Sequence, residues 1–281
     1  MTETINYRID NYDVHNQTRS CIDYFNDEQK QSLAKDGYLK LPYRLSLDEI
    51  NKFTLTAERL LKENHNDGQV QTTYKGKNFA GKYLRQPHLQ DLLFMNLLTN
   101  QYPFVDMARS IMGPRIAVRS FNIRTTLPQS NDGTKWHSDQ FSYVIPKPLF
   151  FTEPHIFTFA IYLDSANENT GPLYLVPGTH RLDEQPSEKE YFQDIENQVS
   201  LILDGGEIVL FHSALWHRGG ENKSTQKRRV ILLHFAPIFC KIAEYENMIP
   251  SAECRTFIDE LRQKEDEAFL ELLGMPRLGY K

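Results

Sequence analysis

A chain of 281 residues with 32 Lys and Arg against 37 Asp and Glu carries a formal net charge of −5, and its 14 Gly and 14 Pro sit in an ordinary apolar background. This composition excludes collagen-like, low-complexity and wholly disordered classes. The acidic balance, without a block of like charge, excludes a basic footprint for nucleic acid or an anionic membrane. The longest apolar runs, such as Ile208 to Phe211 and Val230 to Leu233, fall far short of the roughly 20 residues a bilayer span needs.

In chain order, Met1 to Tyr12 is polar and shows no secretory pattern, and Cys21, Cys240 and Cys254 have no metal-like spacing, so reduced thiols in a cytoplasmic protein are expected. Phe25 to Lys35 has helical patterning and stops at Asp36-Gly37. An extended Tyr38 to Leu41 follows. Ser46-Leu47-Asp48-Glu49 is a capping box, and Ile50, Phe53, Ala57, Leu60 and Leu61 continue it at helical spacing. His88 to Met112 reads as a further helical stretch, interrupted near Pro103 and closed by Gly113-Pro114. From Arg115 the pattern becomes short β-branched and aromatic runs: Ile116 to Thr126, His155 to Leu163, Pro172 to Val176, Glu207 to Phe211 and Arg229 to Phe235. Ser251 to Leu273 is helical again. The expectation is one domain over 1–281, mainly β with flanking α-helices: a helical part over 1–114, a sandwich or barrel core over 115–237, and a helical part over 238–281.

His-x-Asp on a strand points both side chains to one face, and with a distant His it makes the facial triad of non-haem Fe(II) oxygenases. Chance supplies about one such tripeptide in a chain of this make-up, and there are two. His65-Asn66-Asp67 lies in Asn-Asp-Gly turn chemistry and reads as a solvated loop. His137-Ser138-Asp139 follows a strand and leads into an aromatic segment at what would be a barrel mouth. Downstream, Gly205-Gly206 leads to His212, then His217, then Arg228-Arg229. Such a triad leaves metal positions for a bidentate 2-oxo acid and O₂, and a second carboxylate on that acid needs a fixed cation, which Arg supplies as a planar two-point fork. Strand alternation sends Arg228 and Arg229 to opposite faces without choosing between them.

Together, His137-Ser138-Asp139, the segment Gly171-Pro172-Leu173 with Val176-Pro177-Gly178-Thr179-His180-Arg181, and His217 to Asn222 with Arg228 eleven residues past His217 resemble the phytanoyl-CoA dioxygenase family, from near Gln29 to Pro237. The resemblance implies a double-stranded β-helix, a cupin-like jelly roll, with Fe(II), 2-oxoglutarate and O₂ as cofactors. It makes His137, Asp139 and His217 the metal ligands and Arg228 the partner of the distal carboxylate. His217 is preferred to His212, whose plainer role is packing at a strand end, because the Gly-Gly-Glu-Asn segment after His217 fits the motif. Tyr143, Asn122 and Thr158 are implied cofactor neighbours, with Arg124 beside Asn122. Thr158, Ala160 and Tyr162 share a strand face that should line the pocket. Lys82, Tyr83 and Arg85 are candidate substrate contacts, with a solvated charge cluster as the plainer reading, and Pro177 to His180 should shape a turn. Gly219 stands where many relatives carry a Ser on the cofactor's carboxylate; Ser224 or a water could substitute.

The activity so implied is oxidative decarboxylation to succinate and CO₂, coupled to hydroxylation of an unactivated C–H bond in a small metabolite, such as an amino acid or natural-product intermediate. The same oxidant also serves desaturation, epoxidation or ring closure. Asp139 argues against a halogenase, in which the carboxylate position is vacated. From a different class, a jelly roll that binds metal without turnover is the alternative. Oligomeric state is not legible.

Overall fold

The computed structural model describes residues 3–9, 17–64, 70–74, 77–129, 133–139, 149, 154–182, 184–240 and 249–275. Its elements in chain order are β1 (Glu3–Ile9), β2 (Gln17–Asp23), α1 (Asp27–Asp36), β3 (Tyr38–Lys40), α2 (Leu47–Glu63), β4 (Val70–Tyr74), β5 (Lys77–Arg85), α3 (Leu92–Met95) and α4 (Phe104–Met112). Then come β6 (Ile116–Thr126), β7 (Phe157–Tyr162), β8 (Leu173–Leu175), β9 (Val199–Leu201), β10 (Ile208–His212), β11 (His217–Gly219), β12 (Arg228–Pro237), α5 (Ala252–Gln263) and α6 (Glu267–Leu272). No helix among the described residues is long and apolar enough to cross a membrane.

Local chemistry starts and stops the first two helices, with the Gly37 stop and the Ser46 capping box as expected. Asn26 and Ser46 form capping boxes with Gln29 and Glu49, and Gly37 ends α1 in the left-handed conformation at φ 83°. Ser46→Ala removes the hydroxyl that accepts the Glu49 N–H, so it is expected to lower stability by about 1 kcal/mol in a chemical denaturation curve.

The strands make a jelly roll. A seven-stranded antiparallel sheet has the order β3-β10-β7-β12-β6-β5-β4, and a three-stranded sheet has the order β11-β8-β9. The two faces of the larger sheet follow from alternation. Phe121, Ile123, Phe159, Ile161, Leu210, Ile231 and Leu233 point outward into one core with Phe53, Ala57 and Leu60 of α2, Phe104 of α4, and Ile258 and Leu261 of α5. Phe53, Phe104, Phe121 and Phe159 are wholly buried, and each such burial contributes about 1.5–3 kcal/mol. Inward, Ala160, Tyr162, Val209, Phe211 and Val230 pack on Leu173, Leu175, Leu203 and Leu215 beneath the smaller sheet. The rest of the inward row is polar: Ser120, Asn122 and Arg124 on β6 pair with His234, Leu232 and Val230 of β12, and Thr126 with Arg228. A polar row between two apolar layers marks where the chemistry is placed.

Three expectations need correction. The first third is not simply helical: β1 and β2 pair as a hairpin, and β4 and β5 extend the main sheet from β6. Their alternation is diluted by charged residues, which hid them. His88 to Met112 is interrupted at Pro103 as expected but holds less helix than that stretch implies: α3 runs only to Met95, a 3-10 turn covers Asn96–Leu98, and α4 starts after Pro103. Ser251 to Leu273 likewise breaks between α5 and α6, at Glu265 with φ 53°.

Candidate metal centre

His137 and His217 face one another across an isolated antiparallel bridge. His137 N–H donates to His217 O at 3.1 Å, and His217 N–H donates to His137 O at 2.9 Å. The imidazoles are thereby held side by side, with ring centroids 4.3 Å apart. Each ring lies with Nδ1 on a carbonyl two residues back, Lys135 O at 2.8 Å and Leu215 O at 2.9 Å. A carbonyl accepts only, so each Nδ1 carries a proton, and in the neutral ring Nε2 is the atom left with a lone pair for a metal. That is the orientation a metal-binding histidine needs.

Both Nε2 atoms look at Asp139, 3.7 Å from Oδ1 for His137 and 3.5 Å from Oδ2 for His217. One ligand atom from each of the three residues lies within 4.8 Å of the others. Asp139 is fixed by its own N–H, which donates to Ser213 O at 2.7 Å. Burial and the neighbouring His217 push the His137 imidazolium pKa down to about 4. Burial raises the Asp139 pKa, but His217, His234, His137 and Arg124 outweigh it and hold the carboxyl below its usual range. Two neutral imidazoles and one carboxylate facing one point are the donor set that suits Fe(II).

Arg228 is 5% exposed on the inward face of β12. Its Nη1 donates to Thr170 O at 3.0 Å, to Gly220 O at 3.1 Å and to Gly171 O, and its Nη2 donates to Thr126 Oγ1 at 3.2 Å. The end-on Nη1–Nη2 fork expected for a carboxylate is therefore closed, because Nη1 is spent on backbone. Burial lowers the Arg228 pKa to about 10, partly offset by the Tyr162 phenol, and Arg124 adds to the lowering. Arg229 takes the opposite face, where it pairs with Asp164 and with Glu58 of α2.

The other predicted residues divide. Asn122 is buried beside Arg124, its amide donating to Ser120 Oγ at 2.8 Å. Tyr83 lies under Arg124, with the guanidinium carbon 5.7 Å from its ring centroid, and Arg85 pairs with Asn122 in register. Lys82 is not with them; it pairs with Thr125 on the opposite face, in a surface cleft with Glu58, Lys62 and Lys227. Thr158 does line the interior, but its hydroxyl is engaged by His234 Nδ1 at 2.8 Å and Ser213 Oγ at 3.1 Å. It supports the Asp139 side of the centre and is not brought to Arg228. Tyr143, His65 and Asp67 lie outside the described residues.

His212 is left out of the centre. Its Nδ1 accepts from Ala214 N–H at 3.0 Å, so its Nε2 donates to His155 Nδ1 at 3.0 Å, and burial pushes its pKa down to about 3. Pro177 to His180 does turn, at Gly178 with φ 82° and a 3-10 segment from Thr179 to Arg181. Ser224 spends its hydroxyl on Asn222 and Gln226; the hydroxyl beside Gly219 is Thr134, whose Oγ1 accepts Gly219 N–H at 2.6 Å. Two residues escaped the sequence reading. Stepping by two from Arg228 along β12 would have placed His234 in the chamber. No pattern would have found Thr134.

The surroundings of Gly219 suit an anion such as a carboxylate by their chemistry: a β-carbon built on Gly219 would sit 3.1 Å from Arg228 Nη2, 3.4 Å from Thr134 Oγ1 and 3.7 Å from Arg124 Nη1. That is a polar cradle with no side chain in it.

The family model for phytanoyl-CoA dioxygenase matches residues 33–230. A probable alpha-ketoglutarate-dependent hypophosphite dioxygenase of Stutzerimonas stutzeri is 25% identical over 260 residues, covering 83% of this chain and 88% of its own. The L-proline trans-4-hydroxylase of Streptomyces griseoviridis is 22% identical, over 74% and 85%. Among solved structures, the epimerase SnoN with Fe3+, alpha ketoglutarate and nogalamycin RO superposes with a TM-score of 0.62 at 17% identity, over 80% of this chain and 92% of that one. EctD from S. alaskensis with 2-oxoglutarate and 5-hydroxyectoine gives 0.61 at 18%, over 84% of each. With the family model spanning most of the jelly roll and the triad inside it, the chain belongs to the phytanoyl-CoA dioxygenase family.

Proposed function

We propose that the protein hydroxylates an unactivated C–H bond of a small molecule, with His137, Asp139 and His217 as the iron ligands and Arg228 on the distal carboxylate of 2-oxoglutarate. The coarser part follows from family membership: the chain is a 2-oxoglutarate-dependent dioxygenase that works with iron. Bound iron, 2-oxoglutarate and O₂ supply the oxidation, with succinate and CO₂ as coproducts. The chain's own residues bind, orient and exclude water. The two Nδ1–H donors fix the imidazoles, Ser213 O fixes Asp139, and Val230, Ala160 and Phe211 line a dry interior.

The observation that carries this reading is that β11, which begins at the ligand His217, ends at Gly219 against the buried Arg228 of the facing sheet. The small substrates named for relatives, proline and hypophosphite, support a small metabolite. Helices from both ends pack on the same sheet, which supports one domain over 1–281, and the three cysteines, free in this fold, suit a cytoplasmic iron enzyme.

Anaerobic Fe(II) titration with 2-oxoglutarate is expected to give a weak visible charge-transfer band; a wild-type protein without it overturns the reading. A succinate-release screen over amino acids, acyl thioesters and small biosynthetic intermediates then identifies the substrate.

A further inference from the structure

Arg228 cannot close on a carboxylate by itself in the end-on manner. Its Nη1 has two hydrogens and three backbone carbonyls around it, so only the remaining edge of the guanidinium is offered inward. The point it faces is the space over Gly219. Arg124 Nη1 and Thr134 Oγ1 face the same point, each within 4 Å of it. Thr134 has one lone pair engaged by Gly219 N–H, while its proton meets only Gly219 O at 3.5 Å, too long for a strong bond and readily redirected.

We propose that Arg124 is a second cation on the distal carboxylate of 2-oxoglutarate, acting with Arg228 and the Thr134 hydroxyl over Gly219. This rests on the assignment of Arg228 above. Two guanidinium groups, 9% and 5% exposed, repel one another across the chamber, and an anion seated between them turns that repulsion into two charge-assisted hydrogen bonds. Arg124 is held for this task by its place in the sheet, opposite Val230 on one side and Tyr83 on the other, with the Tyr83 ring under it. A site with two cations at one end selects 2-oxo diacids over 2-oxo monoacids.

The test is calorimetric binding of 2-oxoglutarate, and separately of the monoacid 2-oxobutyrate, to Fe(II)-loaded protein without oxygen. Arg124→Met is expected to raise the Kd for 2-oxoglutarate about 10- to 100-fold and to leave that for 2-oxobutyrate within about threefold, since the monoacid has no distal carboxylate. Unchanged 2-oxoglutarate binding in Arg124→Met, or an equal loss for both acids, overturns the clamp. If Arg124→Met does not fold, Arg124→Gln is compared in the same way, and unchanged 2-oxoglutarate binding there, or an equal loss for both acids, overturns the clamp. Arg228→Met separates the two claims: if it binds 2-oxoglutarate like wild type, the assignment of Arg228 itself fails, whereas loss there with no loss in Arg124→Met defeats the clamp alone.

Discussion

Asp139→Ala is expected to weaken Fe(II) binding at least about 100-fold and to bring 2-oxoglutarate-dependent succinate release to background. Asp139 is the only anionic donor in the triad; the two histidines contribute neutral Nε2 atoms. Losing the carboxylate removes both a bond and the charge that offsets the metal in a buried setting. The fold should survive. The hydrogen bond that anchors this segment comes from the Asp139 backbone N–H to Ser213 O, and alanine keeps it. The melting temperature of the metal-free variant should therefore stay within a few degrees of the metal-free wild type. Adding Fe(II) without oxygen should raise the wild-type melting temperature and leave that of Asp139→Ala unchanged, because a ligand stabilises only the state it binds. A variant that still gained stability with Fe(II) would mean that the metal is held elsewhere.

What could be read from the sequence was local. Capping boxes, the Gly37 stop and the long strands β6 and β12 are written in short-range chemistry, and β6 begins and ends at the predicted residues. The triad was legible through the family motif and its spacing rather than through strand alternation, since His137 to Asp139 lies outside the named strands and only His137 makes an isolated bridge. The hairpin β1–β2 and the pair β4–β5 were not legible, since Arg8, Arg19, Lys77 and Lys82 interrupt any apolar alternation. The loss of the Arg228 fork was not legible either. It depends on where the carbonyls of Thr170, Gly171 and Gly220 arrive, and those belong to loops far along the chain from the arginine or folded back upon it. Thr134 was hidden for the same reason: only the approach of its segment to Gly219 gives a threonine in a polar loop any role. Residue identity and spacing name the ligands. The groups that aim them are set by tertiary approach.

Gly171→Ala should be the most damaging small substitution for the same machinery. Gly171 has φ +92°, a conformation that costs an L-residue roughly 1–2 kcal/mol. Its new β-carbon would also collide with Arg228 Nη1 and Gly220 O and lie 2.7 Å from Glu221 O. Two of those three neighbours are backbone carbonyls, which cannot swing aside as a side-chain tip can. Overpacking of this kind adds about 1–3 kcal/mol, for a combined loss of about 2–5 kcal/mol. The collision falls on the carbonyl cage that holds Arg228, so the guanidinium must leave its seat. The expected result is a lower melting temperature together with a Kd for 2-oxoglutarate raised at least about tenfold, the latter through a lost charge-assisted contact. Gly113→Ala separates the two effects. It shares the backbone demand, at φ +87°, but its β-carbon would meet nothing within 4 Å, beyond the end of α4. It should cost about 1–2 kcal/mol, the backbone part alone, and leave 2-oxoglutarate binding unchanged. Equal effects of the two alanines on that Kd would show that the carbonyl cage does not position Arg228.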